Sequence, residues 1–207
     1  MYWFVLTTYH SQLVLVGGVE YVGENVLRGP TYDKCTNKLW TLNEDCQWQE
    51  TLPPMPVSLC NYGSAVSHGD NILVITREYC HPYNNMVYVY NGHHWASAQH
   101  PPLRLYSVTS TVFNGHWYVM GDSGITYSAF LDSLLASSCQ PSEILSSLWK
   151  RLTFILVGLD SPVVFGNRLV SVKAPGVHYN TISLYAYSPG TESWVEKGDT
   201  PLMTTST

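Results

Sequence analysis

The sequence has little charge and no long apolar run. Only 12% of its 207 residues are Asp, Glu, Lys or Arg, about half the share of roughly 25% that is usual in globular proteins. The net charge is -5, and no run of Lys and Arg supplies the basic stripe that nucleic-acid binding needs. Because no stretch of about 20 apolar residues exists, a membrane-spanning helix is not expected either. We therefore expect neither nucleic acid nor a membrane as a partner.

The cysteines lack the spacing of a zinc site or of a disulfide framework, because their number is odd and no two form a CxxC pair. They are Cys35, Cys46, Cys60, Cys80 and Cys139. Residues 1–19 carry no Asp, Glu, Lys or Arg, but polar residues interrupt the apolar stretch and no basic residue starts it, so a signal peptide is not expected. These features predict reduced cysteines in a cytoplasmic protein.

Motifs of common catalytic sites are also missing. The sequence contains no GxSxG, GxxxxGK[ST], HExxH or GxGxxG, and its few carboxylates are scattered. His93 and His94, with His81 and His100 nearby, could suggest a metal site. Neighbouring residues of a strand point to opposite faces, however, so the adjacent pair cannot chelate as a unit. The sequence therefore predicts no metal and no cofactor.

Aromatic residues are abundant, with 15 Tyr, 7 Trp and 5 Phe, which is typical of β-rich proteins. One pattern recurs four times: an apolar or mixed stretch, a turn with Gly, Asn, Asp or Ser, and a second apolar stretch. The copies are residues 8–18, 65–77, 111–122 and 163–174. These turn residues tolerate the positive φ of tight hairpins, so the pattern predicts four β-hairpins.

A tryptophan that follows a second strand pair recurs out of phase with the hairpins. The copies are Trp48, Trp95, Trp149 and Trp194, at steps of 47, 54 and 45. Proline-containing linkers follow three of them, at residues 52–56, 100–102 and 199–201. Each unit is predicted to hold four antiparallel strands, A to D, which is typical of propeller blades. The apolar strand B would be buried on both faces, and the tryptophan would cover the seam between sheets.

One segment allows two interpretations. Leu131, Leu134 and Leu135 have the spacing of a helix face, while Pro141 prevents one long helix through the segment. We interpret residues 127–136 as strand C of the third unit, followed by an enlarged turn. A short helix is the alternative.

These repeats resemble the Kelch-repeat β-propeller family, whose repeat carries a hydrophobic strand, a Gly-Gly doublet, a later Tyr and a Trp. LVLVGG, ending at Gly17 and Gly18, matches the front half; VYVYNGHHW (residues 87–95) and LYAYSPGTESW (residues 184–194) match the back half. The doublet survives only once. The resemblance implies an all-β fold: one domain over residues 1–207, with approximate repeats 1–57, 58–103, 104–161 and 162–207.

Four blades are fewer than Kelch propellers usually have. We therefore favour an open arc or partial propeller of about four four-stranded blades, with a compact four-bladed ring as the alternative. The unpaired edges of an open arc invite self-association.

The resemblance also implies a binding face built from the D–A linkers and the B–C loops, with an Arg just after the proline linker. Arg104 occupies that position, whereas the first linker has Ser58 there. Tyr62 and Tyr106 follow the same two linkers. Arg77 and Tyr79 open the second B–C loop. Arg and Tyr are frequent in binding hot spots; the alternative for Tyr62 and Tyr106 is packing within strand A.

We therefore expect a non-enzymatic protein-binding module or scaffold with no cofactor and a protein partner of unknown identity. One alternative is a galactose-oxidase-like propeller enzyme, which needs a Cys–Tyr cross-link. Cys60 lies near Tyr62 and Cys80 beside Tyr79 in the sequence, which is weak support. A degenerate, partial repeat protein is the other alternative.

Overall fold

A computed structural model describes residues 4–20, 24–25, 29–30, 34–59, 63–77, 85–102, 108–121, 125–137, 148–152, 162–173 and 181–201. Four antiparallel sheets of four strands each make up most of it. The first sheet has the order β1-β2-β7-β8. Its strands are β1 Val5–Tyr9, β2 Gln12–Val16, β7 Leu39–Leu42 and β8 Trp48–Leu52. Between β2 and β7 lie two short strand pairs, formed by β3 Val19–Glu20 with β6 Lys34–Cys35 and by β4 Glu24–Asn25 with β5 Gly29–Pro30.

The other three sheets repeat the same strand order along the chain. The second holds β9 Gly63–His68, β10 Asn71–Arg77, β11 Asn85–Tyr90 and β12 Trp95–Ala98. The third holds β13 Val108–Phe113, β14 His116–Gly121, β15 Thr126–Phe130 and β16 Trp149–Arg151, with helix α1 Leu131–Ser137 after β15. The fourth holds β17 Val163–Phe165, β18 Arg168–Lys173, β19 Thr181–Ser188 and β20 Ser193–Pro201.

The sheets stand side by side in an arc, with the first strand of each innermost. Strand β1 contacts β9, β9 contacts β13, and β13 contacts β17. Hydroxyl pairs join neighbouring inner strands: Thr8 Oγ1 lies 3.2 Å from Ser67 Oγ, and Ser64 Oγ lies 2.8 Å from Ser110 Oγ. Among the described strands, no comparable contact joins β17 of the fourth sheet to β1 of the first. The predicted all-β fold, an open partial propeller with four four-stranded units, is confirmed.

Antiparallel order gives every sheet two distinct ends. The A–B and C–D connections of all four sheets lie at one end, which we call the turn end. The B–C loops and the linkers between sheets lie at the other, the linker end. This arrangement follows from the strand order alone, and it separates the loops with predicted binding residues from the hairpin turns.

Three apolar cores fill the three seams between neighbouring sheets. Strand B is buried on both faces in the second sheet, where residues 72–76 are all buried, and in the third, where residues 117–121 are all buried, as predicted. Strand β18 alternates instead: Leu169 and Ser171 are buried while Val172 is exposed. The reason is that, among the described residues, no further sheet covers the other face of the fourth sheet.

The tryptophans also behave as predicted in three units. Trp95, Trp149 and Trp194 each pack into the seam between their own sheet and the preceding one. Trp48 is the exception, with 43% of its surface exposed.

The interpretation of residues 127–136 as one strand is wrong beyond Phe130, because a helix begins at Leu131. Leu131 and Leu134 are fully buried in the core between the second and third sheets. Side chains three residues apart share one helix face, so a single turn places both leucines in that core. The Leu131 amide also donates to the Gly115 carbonyl at 2.9 Å. Residues 138–147 lie outside the described chain.

The expectation of reduced cysteines is wrong for Cys35, which is disulfide-bonded, whereas Cys46 is free and exposed. Cys60, Cys80 and Cys139 lie outside the described residues. Within the described parts of the chain, no helix has the length and apolar character needed to cross a membrane.

Candidate binding face

The glycine doublet lets the first linker pack against the B–C connection of the first sheet. Gly17 and Gly18 follow β2 with φ of 62° and 106°, in the region that side chains disfavour. The Gly18 amide donates to the Leu59 carbonyl at 2.9 Å. A Cβ at Gly17 would lie 2.5 Å from the Leu59 Cβ, so the space there admits only glycine. The doublet thus serves both the backbone turn and a close approach of two segments.

Further hydrogen bonds hold the first linker in one conformation. The Met55 amide donates to the Asn37 carbonyl at 2.8 Å, and the Asn37 Nδ2 donates back to the Met55 carbonyl at 2.7 Å. The Leu59 amide donates to the Thr36 carbonyl at 3.0 Å. Met55 and Leu59 are buried. Val57 packs against the same core, and the exposed residues of the linker are Pro53, Pro54, Pro56 and Ser58.

The tryptophan of the next sheet fixes each of two linkers from the side. Trp95 Nε1 donates to the Pro53 carbonyl at 3.0 Å, and Trp149 Nε1 donates to the Gln99 carbonyl at 2.8 Å. Sequence reasoning predicted the seam position of these rings but missed this role of the indole N–H. The sequence did contain a signal for this role, because the linker that leaves the preceding sheet comes before each of the two tryptophans.

The Trp194 indole nitrogen is buried, and no described residue accepts its hydrogen bond. Residues 153–161, which precede the fourth sheet, lie outside the described chain.

One group of paired charges lies at the linker end of the described first sheet. Lys38 Nζ lies 3.2 Å from Glu50 Oε2 and 3.9 Å from Glu20 Oε1, and all three side chains are partly exposed. Exposed ion pairs of this kind contribute little to stability. The described part of this face is therefore a fixed, weakly charged and proline-rich surface.

The predicted binding residues are mostly outside what the structure describes. Arg77 is the last residue of β10 and pairs with Asn85 at the linker end, but its side chain is not described. Tyr62, Tyr79, Arg104 and Tyr106 lie outside the described residues. Their role in binding stays a prediction.

A cleft of about 360 Å³ lies along the inner strands of the first three sheets. Its polar lining is made of hydroxyl groups, from Thr7, Thr8, Ser67, Ser110 and Thr111. Hydroxyls donate and accept hydrogen bonds but are not ionised near neutral pH. The cleft can therefore solvate a neutral polar group, and its lining offers no acid–base pair.

Among the described residues, no three His, Cys, Asp or Glu side chains come together as metal ligands. His93, His94 and His100 are exposed, and His94 Nε2 lies 3.4 Å from Asn91 Nδ2. At the turn end, His10 Nε2 lies 3.2 Å from Asp70 Oδ1, with both side chains more than half exposed. His81 and the cysteines beside Tyr62 and Tyr79 lie outside the described residues, so the enzyme alternative stays untested.

Two tyrosines in the seam between the third and fourth sheets have raised pKa values. Burial raises the pKa of Tyr118 and of Tyr187, and the hydrogen bond between the two phenols adds to the rise for Tyr187. Their rings meet edge to face with centroids 5.3 Å apart. Both phenols stay protonated at neutral pH, which is what a packed seam requires.

No protein-family model matches the sequence, and no curated protein matches it. Solved structures do match. The SapL1 lectin, in complex with alpha methyl fucoside, is 13% identical with a TM-score of 0.51; the match covers 97% of this chain and 80% of that one. The WD40 repeats of RRP9 are 11% identical with a TM-score of 0.41, over 96% and 66% of the two chains. The likeness to the lectin shows a common propeller-like fold and does not distinguish Kelch repeats from other repeats.

Proposed function

We propose that this chain is a non-enzymatic protein-binding module built from Kelch-like repeats, with the linker end as its binding face. The observation that carries the proposal is the fixed conformation of the linkers. The glycine doublet, the Asn37–Met55 hydrogen bonds and the tryptophan N–H groups hold the first two linkers before any partner arrives. A face that is already ordered loses less conformational entropy when it binds.

The shape of this face favours a macromolecule over a small ligand. Its exposed prolines belong to two separate linkers, at Pro53, Pro54 and Pro56 and at Pro102. A partner that touches both must span neighbouring sheets, as the broad interfaces between proteins do. Arg104 and Tyr106 come directly after the second linker in the sequence, and we propose them, with Tyr62, Arg77 and Tyr79, as the contact residues.

The test is affinity capture with two matched variants. The chain is immobilised and exposed to a lysate of its source organism, and bound proteins are quantified by mass spectrometry. Arg104→Glu tests the linker end. His93→Glu places the same charge at the turn end, on an exposed residue of the β11–β12 turn. We expect a stoichiometric partner that Arg104→Glu loses by at least tenfold and that His93→Glu keeps. In titration calorimetry, the purified partner must then bind the His93→Glu chain more tightly than the Arg104→Glu chain.

Two results would contradict the proposal. One is a partner retained equally by both variants, and the other is the absence of any partner above empty resin. Copper bound at one equivalent per purified chain would instead support the oxidase alternative. Titration with alpha methyl fucoside is a useful control, because binding there would favour a carbohydrate ligand over a protein.

The cellular location also stays a proposal. The sequence favours the cytoplasm, but disulfides persist mainly in oxidising compartments, and Cys35 is disulfide-bonded. Fractionation of the source cells, with a thiol-labelling assay, decides between the two.

A further inference from the structure

Among the described residues, nearly all exposed large apolar side chains belong to the two end sheets of the arc. Among the described residues, the exposed large apolar side chains are Phe4, Leu6, Leu13, Trp48, Phe130, Val163, Val164, Phe165, Val172, Leu184 and Val195. Phe130 belongs to the third sheet; every other one lies in the first or fourth sheet or directly before it. Contiguous exposed apolar surface of this kind marks interaction sites.

Strand register places the residues of the first sheet on one face. Leu6 pairs with Leu15, and Leu42 pairs with Trp48. Directly paired residues share a face, and side chains alternate along each strand. The face away from the second sheet therefore holds Leu6, Leu13, Leu15, Leu42 and Trp48, of which Leu15 is buried. At the inner edge of this face, Leu6 and Leu13 also line the cleft along the inner strands. We call it the first outer face.

The fourth sheet has a matching apolar face. Val163 pairs with Val170, Val170 with Ala186, and Ala186 with Val195. Phe165 and Val172 lie on this same side, and Phe165 is 77% exposed. The opposite side carries Leu169, Tyr185, Tyr187 and Trp194, which pack on the third sheet. We call the exposed side, with Val163, Phe165, Val172, Leu184 and Val195, the fourth outer face.

Trp48 indicates what covers the first outer face. The equivalent rings Trp95, Trp149 and Trp194 all pack on the sheet before their own, and two of them bond to the linker that leaves that sheet. Trp48 has the same position in its sheet, but the described chain holds no preceding sheet for it. The first outer face thus has the side chains of a seam that lacks its partner sheet. Within the chain, each seam joins one sheet to the sheet that follows it. A sheet that covers the first outer face must therefore present the side that would pack on a following sheet. In this chain, the fourth outer face is such a face left exposed.

Charge at the turn end is complementary between the two faces. Arg168 and Lys197 line a cleft with Val195, and the third-sheet residues Phe113 and Asn114 also line it. Glu44 and Asp45 lie in the β7–β8 turn of the first sheet, next to Trp48. Arg168 and the two acidic residues are at the turn end, whereas Lys197 lies further along β20, beside the register shift at Leu184 and Tyr185. All four side chains are exposed. Within the described part of the chain, none of the four has an ion partner.

We propose that the fourth outer face of one copy docks on the first outer face of a second copy, and that the reciprocal contact closes a ring of two chains and eight sheets. Each new seam would repeat the three that exist within the chain. Eight sheets lie within the usual range of propellers, and a head-to-tail contact forms a ring when its rotation closes.

Sedimentation equilibrium or light scattering on the purified full chain tests this. All chains carry Cys46→Ser, which removes the exposed free thiol as a source of cross-linking. We expect about 46 kDa for the parent, twice the chain mass of 23.2 kDa. Leu6→Glu and Phe165→Glu are each expected to give monomers, because either one places a charge in both seams of the ring. Phe130→Glu, on an exposed residue outside both faces, is the matched control and should stay dimeric.

Mixing gives the sharpest readout. The Leu6→Glu chain keeps an intact fourth outer face, and the Phe165→Glu chain keeps an intact first outer face. A one-to-one mixture can therefore form one unaltered seam and should recover dimers that neither variant forms alone. A dimer built from two like faces would instead survive one of the single variants.

Three outcomes overturn the proposal: a parent chain that is monomeric at all concentrations, a dimer that Leu6→Glu or Phe165→Glu leaves intact, and assemblies that keep growing beyond two copies. Circular dichroism and a thermal melt of each variant confirm that it is folded. The docking faces lie on the sides of the end sheets and not at the linker end, so failure of the ring and failure of partner capture are separate results.

Discussion

The second and fourth sheets share one repeat pattern but differ in what surrounds them. In the second sheet, five consecutive residues of strand β10 are buried, because a sheet packs on each side. In the fourth, β18 buries Leu169 and Ser171 and exposes Val172. The two strands are similarly apolar. The difference shows that the burial of side chains in β10 and β18 depends on the neighbouring sheets rather than on the sequence of the strand alone.

The largest effect is expected where a seam is filled on both sides. Trp117 is fully buried between the second and third sheets, and Trp117→Ala should lower the free energy of unfolding by about 3–5 kcal/mol. Phe165→Ala, on the exposed side of the fourth sheet, should change it by less than about 0.5 kcal/mol. Both are measured by urea denaturation in the Leu6→Glu background, where the proposed ring cannot form. Equal losses in the free energy of unfolding would contradict the difference between a covered sheet face and the exposed side of the fourth sheet.

A smaller loss is expected where a linker meets a sheet. Gly17→Ala forces positive φ on a side chain and places its Cβ against Leu59, so the free energy of unfolding should fall by about 2–4 kcal/mol. Gly69 is the control: its φ is also positive, at 55°, but a Cβ there meets no atom within 4 Å. Gly69→Ala should cost only about 1 kcal/mol. If the two variants melt alike, the close approach to Leu59 is unimportant.

The tryptophan hydrogen bonds should give a graded effect. Trp149→Phe keeps a ring in the seam but removes the donor to the Gln99 carbonyl, which is part-buried, and should lower the free energy of unfolding by about 1–2 kcal/mol. Trp95→Phe removes an exposed bond to Pro53, which water can replace, so its loss should be smaller. Chemical denaturation of both variants checks the order. A reversed order would mean that ring packing outweighs the hydrogen bond.

The smallest effect is confined to alkaline pH. Burial raises the pKa of Tyr118 and Tyr187 in the folded state. Above the unfolded pKa of about 10, the unfolded chain releases protons that the folded chain keeps, so stability falls as pH rises. At neutral pH both states are protonated and the effect vanishes. Tyr118→Phe should therefore flatten the decline in melting temperature above about pH 10. A decline that is as steep in the variant would assign it to other groups.

Local sequence patterns predicted the strands of each sheet well, but they predicted poorly the contacts that join one sheet or linker to the next. The four hairpins and the tryptophan positions follow from turn residues and apolar runs a few residues apart. Helix α1 does not, because Leu131 and Leu134 suit a strand or a helix, and burial against the second sheet decides between them. The Gly17 contact with Leu59 joins segments 42 residues apart, which no local pattern reveals. The same holds for Cys35, whose bonded state depends on a distant thiol.

The sequence predicted a proline-containing linker after the first sheet and after the second; a role of these linkers in binding stays a prediction. The structure adds how the linkers are held, and it places Ser58 among their exposed residues. The contacts of Arg104 and Tyr106 stay predictions, because specificity depends on side-chain positions that strand periodicity does not determine.

The bond from Trp95 to Pro53 also has a consequence for the order of events during synthesis. The two residues are 42 positions apart, so the first linker leaves the ribosome well before the ring that holds it. The conformation of the first linker is therefore completed only when the following sheet has folded. A chain interrupted after its first sheet would display the proline residues without the hydrogen bond that Trp95 donates to Pro53.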